Sequence, residues 1–327
     1  MSNFTALFSN DTSVSSEDIA VAVSYIVLAL SILPVYLILI YIFITDKEFK
    51  KTNSFKLFVN LGIFDCLQLF FHWTAGVLVL YPGICEHYYF CKPILPRYEY
   101  VFQFLGATLN SAWVGLFPAT VIIATQRLLI ITRKINSEGS LPWILQGMLV
   151  IGWVYTLLFY ICLLTMGTVT FDPEGYSWGY VDDAASNVME QIEYMICLPL
   201  IVISFVIYLA VIGQIFYLRK FNSSSPSLRA NKQERRILVQ SVILFVNLAL
   251  LLSAWHHYSL ILPDTKETVW IINCYWIIYC GLNPLLYLTM NRTIRKKFVE
   301  VFYKPKSHPL PDLMFTTTTP RVSASRK

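Results

Sequence analysis

Apolar runs long enough to cross a bilayer recur seven times between residues 19 and 290, a pattern that no soluble fold accommodates. Spanning the hydrocarbon core as a helix takes about 20 mainly apolar residues. The runs fall at residues 19–44, 55–80, 99–126, 143–168, 190–218, 237–262 and 268–290. Each is expected to be helical, because backbone polar groups in hydrocarbon need partners within their own segment and no run alternates like a barrel strand. Composition closes the soluble alternative. Charged residues make up only 14% of the 327 and hydrophobic ones 56%, whereas an ordinary soluble domain carries about 25% charge.

The distribution of charge orients the bundle. With the N-terminus outside, the inner segments hold 22 of the 25 Lys and Arg residues and the outer segments 3. Acidic residues run the other way, 13 outside and 6 inside, with Asp65 alone placed within the membrane. Basic residues collect on the cytoplasmic side, so the expected fold is an all-α seven-helix membrane bundle, N-terminus out and C-terminus in. Asn3-Phe-Thr5 and Asn10-Asp-Thr12 are glycosylation sequons in the polar amino-terminal tail, which this topology places outside. No basic region precedes the first apolar run, which therefore reads as an uncleaved signal anchor. The expected organisation is a glycosylated tail over 1–18, the bundle over 19–290, an amphipathic eighth helix over 291–303, and a disordered cytoplasmic tail over 304–327.

The connections are short, which leaves no room for a catalytic or nucleotide-binding domain. No enzymatic activity, cofactor, metal or nucleic-acid partner is expected. Function must sit in the bundle and at its two faces. Asp65 stands in the second run, where an unpaired carboxylate costs about 3 kcal/mol or more. It reads as a cation site, a proton-sensitive switch or a polar hinge, or more plainly as a neutral, hydrogen-bonded residue that fixes packing. Asn60, Asn110, Ser111, Asn247 and Asn283 are its candidate partners. Asn283-Pro284-Leu-Leu-Tyr287 closes the seventh run. Proline removes a backbone donor and kinks a helix there. The following Asn291-Arg-Thr-Ile294-Arg-Lys-Lys-Phe298 has the spacing of an interfacial amphipathic helix lying on lipid. Arg127 ends the third run, either paired with Glu234 or snorkelling to the interface. Cys85 and Cys91 share the first outer connection, an oxidising location; a local disulfide is the preferred reading, with two free thiols as the alternative. Gln103, Asn110, Tyr194, Trp255, His256, Trp270 and Asn273 form a candidate outer pocket. Its apolar, aromatic character suits a small, mostly uncharged molecule, although aromatic and His side chains at this depth also serve simply as interface anchors.

Seven spans with the N-terminus outside, Leu61-Gly-Ile-Phe-Asp65, Trp153, Pro199 and Asn283-Pro-Leu-Leu-Tyr287 followed by a basic helix together resemble the rhodopsin-like G-protein-coupled receptors over residues 19–300. Within them the chain is most similar to the nematode serpentine chemoreceptors of class T. Leu61-Gly-Ile-Phe-Asp65-Cys66, Val239-Gln-Ser-Val-Ile-Leu-Phe-Val-Asn247 and Leu286-Tyr-Leu-Thr-Met-Asn291-Arg-Thr-Ile-Arg295 carry that likeness. The resemblance implies a small-molecule ligand, a heterotrimeric G protein at the inner face, and the plasma membrane, in sensory neurons its ciliary part. It implies that Asp65 is the sodium-site acid, Arg127 the third-helix arginine, and Asn283, Pro284 and Tyr287 the seventh-helix switch. Four positions depart from the pattern. Thr125-Gln126 replaces the acid that usually precedes Arg127. No Cys lies near Phe102 or in the second outer connection, so the customary disulfide between them is absent. His257 stands where the sixth helix usually has a proline beyond Trp255. Leu116 replaces a hydroxyl of sodium-binding members. The competing class is a small transporter or channel, disfavoured by the lack of an internal repeat and by a single intramembrane acid.

Overall fold

The computed structural model of the protein describes residues 14–81, 97–136, 139–221 and 231–303, without the side chains of 97–100, 218–221 and 231–235. Asn3, Asn10, Cys85, Cys91, the Glu234 side chain and the tail from 304 lie outside the described residues. Among the described residues, seven helices are long and apolar enough to cross a membrane. They are α1 (Ser16–Thr45), α3 (Asn53–Leu80), α4 (Arg97–Ile131), α5 (Trp143–Thr165), α6 (Ala184–Phe221), α7 (Asn231–His257) and α8 (Lys266–Met290). A single-turn helix α2 (Lys47–Lys50) follows α1, and α9 (Arg292–Phe302) follows α8.

Local chemistry sets the boundaries. Ser15 and Asp18 form a reciprocal capping box at the start of α1, which satisfies amides that the first turn leaves free. Thr265 caps α8 through the Thr268 N–H. Asn291 breaks the helix at Met290 and restarts it, its side chain accepting from the Thr293 and Ile294 N–H groups. Proline lies inside α1, α4, α6 and α8, at Pro34, Pro118, Pro199 and Pro284.

Helix α4 is the hub, packed against α3, α5, α6 and α7, while α1 packs on α3 and α8. Glycine permits the tightest of these contacts: a Cβ at Gly62 would sit 2.7 Å from the Tyr36 ring. The outward faces of α1, α5 and α6 expose Val27, Leu37, Ile151, Leu157, Val206 and Leu209. A row of apolar side chains on that scale is a lipid-facing surface rather than a water-facing one.

The sequence reading did not anticipate a β-hairpin between α5 and α6. Strands β1 (Val169–Asp172) and β2 (Ser177–Tyr180) pair antiparallel, Val169 opposite Tyr180. The hairpin closes one end of the bundle, the end at which α1 begins. Gly106 on α4 lets it approach, since a methyl group there would overlap the Val169 carbonyl oxygen. Tyr176, in the turn, adopts φ +58°, and its surroundings fix it. Its carbonyl accepts from Tyr25 Oη at 3.0 Å and Asn273 Nδ2 at 3.4 Å, while its hydroxyl donates to Asp18 at 2.6 Å. Polar clamps to α1 and α8 thus hold a hairpin that lacks the customary disulfide.

Candidate functional site

Beneath the hairpin lies a cavity of about 100 Å³, where a single water takes up roughly 10–15 Å³. It has room for a small ligand. Trp113 of α4, Trp255 of α7 and Trp276 of α8 line it from the bundle, and Trp178 and Tyr180 from the hairpin. The indoles pack on one another, with Trp276 centred 4.9 Å from Trp113 and 5.5 Å from Trp255.

A carboxylate sits in this aromatic wall. Glu193 of α6 is 4% exposed and is held by three donors. Trp113 Nε1 donates to Oε1 at 2.9 Å. Asn110 Nδ2 and the Tyr180 hydroxyl donate to Oε2 at 2.9 and 2.7 Å. Asn110 also donates to the Tyr180 oxygen at 2.6 Å, which leaves the phenol proton for Glu193. Three donors converging on two oxygens match an acceptor-only group.

A second polar centre lies deeper. Asp65 of α3 is 1% exposed; its Oδ2 accepts from Tyr36 Oη at 2.6 Å and Asn283 Nδ2 at 2.9 Å. The two centres are linked. Trp276 Nε1 donates to Gln68 Oε1 at 2.6 Å, and Gln68 stands three residues along α3 from Asp65. Beyond Asn283 and Pro284, the Tyr287 ring packs edge-on against Phe43 at 5.1 Å and Phe58 at 5.2 Å. The Arg127 guanidinium lies 6.0 Å from the centre of that same Phe58 ring. It is 2% exposed and donates to Gln126 Oε1 at 2.8 Å. The residue that replaces the customary acid therefore keeps the hydrogen bond while dropping the charge.

A family model described as "Serpentine type 7TM GPCR chemoreceptor Srt" matches residues 8–309. The chain belongs to that family. It is a G-protein-coupled chemoreceptor and a multi-pass membrane protein. The crystal structure of squid rhodopsin is similar to it in fold, with 15% identity and a TM-score of 0.66 over 88% of this chain and 85% of that one. No curated protein matches the receptor in sequence. The transporter or channel alternative gains no support from the family or the fold.

The receptor brings some of the expected residues together and assigns others elsewhere. Asn110, Trp255 and His256 line the cavity. Tyr194 and Asn273 lie outside the lining: the Tyr194 ring packs on the lining residue His256 at 4.6 Å, and Asn273 bonds the hairpin turn. Gln103 lies outside the lining and caps α5, donating to the carbonyls of Leu163 and Leu164 at 3.1 and 3.2 Å. Trp270 also lies outside it and ties α8 to α1 through Ser24 at 2.9 Å. Of the candidate partners for Asp65, Asn283 contacts it; Asn110 serves Glu193, Asn60 receives the Trp153 N–H, and Asn247 the Tyr275 hydroxyl. The expectation that Asp65 is the single acid inside the bundle is corrected by Glu193. Helix α6 begins at Ala184, six residues before the expected 190, which carries Glu193 well into the bundle. Sequence reasoning also passed over Tyr36, Gln68 and Trp276; tyrosine and tryptophan in an apolar run read as packing. One available signal was that Trp276 precedes Asn283 by seven residues, two helical turns on one face.

Proposed function

We propose that this receptor binds a small ligand in the hairpin-capped cavity and passes the signal to a heterotrimeric G protein at the opposite, basic end. It acts as a receptor and not as a catalyst. The N-terminus is outside, on the 22-to-3 distribution of basic residues, and the receptor resides in the plasma membrane, for a chemosensory cell that of the cilium. The observation that carries the reading is the series of side-chain contacts and same-helix neighbours that leads from Trp276 in the cavity wall to Arg127 at the basic end. The path runs Trp276, Gln68, Asp65, Asn283, Pro284, Tyr287, Phe58 and Arg127. A ligand that moves Trp276 biases α8, and Pro284 supplies the bend about which its inner part moves. Asp65, Asn283, Pro284 and Tyr287 are the switch, and Arg127 meets the G protein. Asn3 and Asn10 carry glycans, and Cys85 pairs with Cys91 in the first outer connection. Arg127→Ala tests the coupling: nucleotide exchange on the G protein should be lost while surface expression persists. Normal exchange in that variant counts against the assignment.

A further inference from the structure

We infer that the ligand of this cavity is a small organic cation, an alkylammonium or quaternary ammonium, held by Glu193 and an aromatic cage. The inference rests on the cavity being the ligand site and names the chemical class that the site takes. Four indoles and a phenol line it, those of Trp113, Trp178, Trp255, Trp276 and Tyr180. Aromatic faces attract cations through their quadrupole, most strongly where water is excluded, and caging an ammonium is their recurrent use. An uncharged odorant needs only the apolar part of such a wall. The carboxylates point the other way. Glu193 is buried at the cavity, and Glu190, one helical turn nearer the hairpin end on the same face, is exposed and also lines it. Among the described lining residues there is no lysine or arginine to neutralise either. Like charges one turn apart on a helix repel. The three groups that hold Glu193 are all neutral donors, so none of them is a counter-charge to it. A bound cation supplies what the pair lacks. The exposed Glu190 gives an entering cation a first contact, and Glu193 a second, drier one. A bare metal ion is a poorer occupant, because hard cations take six or more oxygen ligands and this wall is mostly carbon.

The experiment compares two probes of one shape. Receptor in lipid nanodiscs at neutral pH is titrated with 3-methylbutylammonium chloride and with 3-methylbutan-1-ol, following tryptophan fluorescence, with sodium chloride as the ionic control. The ammonium should bind more tightly than the alcohol by about tenfold or more, the scale of a desolvated cation–aromatic contact. Glu193→Gln should cut that preference severalfold through weaker ammonium binding, with the aromatic wall retaining the remainder. Tyr180→Phe, which removes a hydrogen bond and keeps the charge, should retain most of the preference. Equal binding of both probes by the native receptor, or a preference that Glu193→Gln leaves undiminished, overturns the ligand class and leaves the cavity standing as the site. Sodium displacing the ammonium at matched ionic strength assigns the site to inorganic cations and also overturns it. Binding of neither probe by receptor of native melting temperature contradicts both the ligand class and the site. The native comparison requires no variant, so it decides the matter even if Glu193→Gln does not fold.

Discussion

Asp65 and Glu193 are both buried, and the hydrogen bonds each receives come from neutral side chains. A buried polar group that loses its partner bears the desolvation cost of what remains. Removing the Tyr36 hydroxyl as Tyr36→Phe leaves Asp65 with Asn283 and should lower stability by about 1–2 kcal/mol, read as a lower Tm of detergent-purified receptor. An unchanged Tm would mean that the 2.6 Å contact is not formed. These two acids also show which site residues a sequence reveals. Asp65 was legible because a carboxylate within an apolar run is too costly to be incidental. Glu193 was not, because it stands only three residues inside the expected run at 190, close behind Asp182, Asp183 and Glu190, where an acid reads as lying at the outer interface. Its burial comes from tertiary structure: the hairpin folds back and places Tyr180 on it.

Among the elements, the hairpin is the least local and was the least legible. Its strands are four residues each, short for the period-2 pattern that marks strands in a sequence, and its position depends on Gly106, Tyr25 and Asn273 from three helices. Gly106→Ala places a methyl group against the Val169 carbonyl. Overpacking of this kind costs about 1–3 kcal/mol, so amide exchange across β1 and β2 should quicken while α1 is unaffected. Unchanged exchange in the strands would show that the close approach is not what seats them. Helix α9, by contrast, was legible from its basic, amphipathic spacing. It docks where Asp46, the cap of α2, meets Lys297 at 3.1 Å. Burial opposes the charge on Asp46, but the Glu48 N–H and the Lys297 ammonium outweigh it and hold the carboxyl below its ordinary 3.8. The hydrogen bond from Lys297 to Asp46 raises the lysine above its ordinary 10.5. A lowered acid contributes stability that is present above its ordinary value and lost as pH falls through the folded one. A raised base contributes stability that is present below its ordinary value and lost as pH rises through the folded one. The pair's contribution to docking should therefore be level from pH 3.8 to 10.5 and weaken outside that window. A spin label at Val301 should report constant mobility across that window and higher mobility in Lys297→Met. A mobility step inside the window in the native receptor would contradict the pairing.

At the scale of the whole molecule, hydropathy and charge carried the architecture. The expected spans agree with the helices to within three residues except at the end of α4, the start of α6 and both ends of α7, where the bounds differ by five or six. Past the end of α7 the 3-10 turn Tyr258–Leu260 takes over from the helix. Period and length are local properties of the chain, so they survive translation into structure; the pairing of distant polar groups is not local. Asn283 could be placed near Asp65 in advance because a kinked seventh helix exposes polar groups at that depth. The links to Tyr36 and Gln68 required the packed bundle. What the bundle adds is arrangement: a cavity at one end, a basic face at the other, and a buried polar contact between α3 and α8 in between. That contact is the central claim, and a double-mutant cycle across it is its most direct test. Basal nucleotide exchange on a heterotrimeric G protein is measured for the native receptor, Asp65→Asn, Asn283→Asp and the reciprocal double variant, with Tm in parallel. Each single change should impair both readouts, and the double variant, which restores one acid and one amide across the same gap, should recover part of each, with a coupling of about 0.5–3 kcal/mol. Losses that simply add in both exchange and Tm would show that the two side chains do not interact, and would contradict the account.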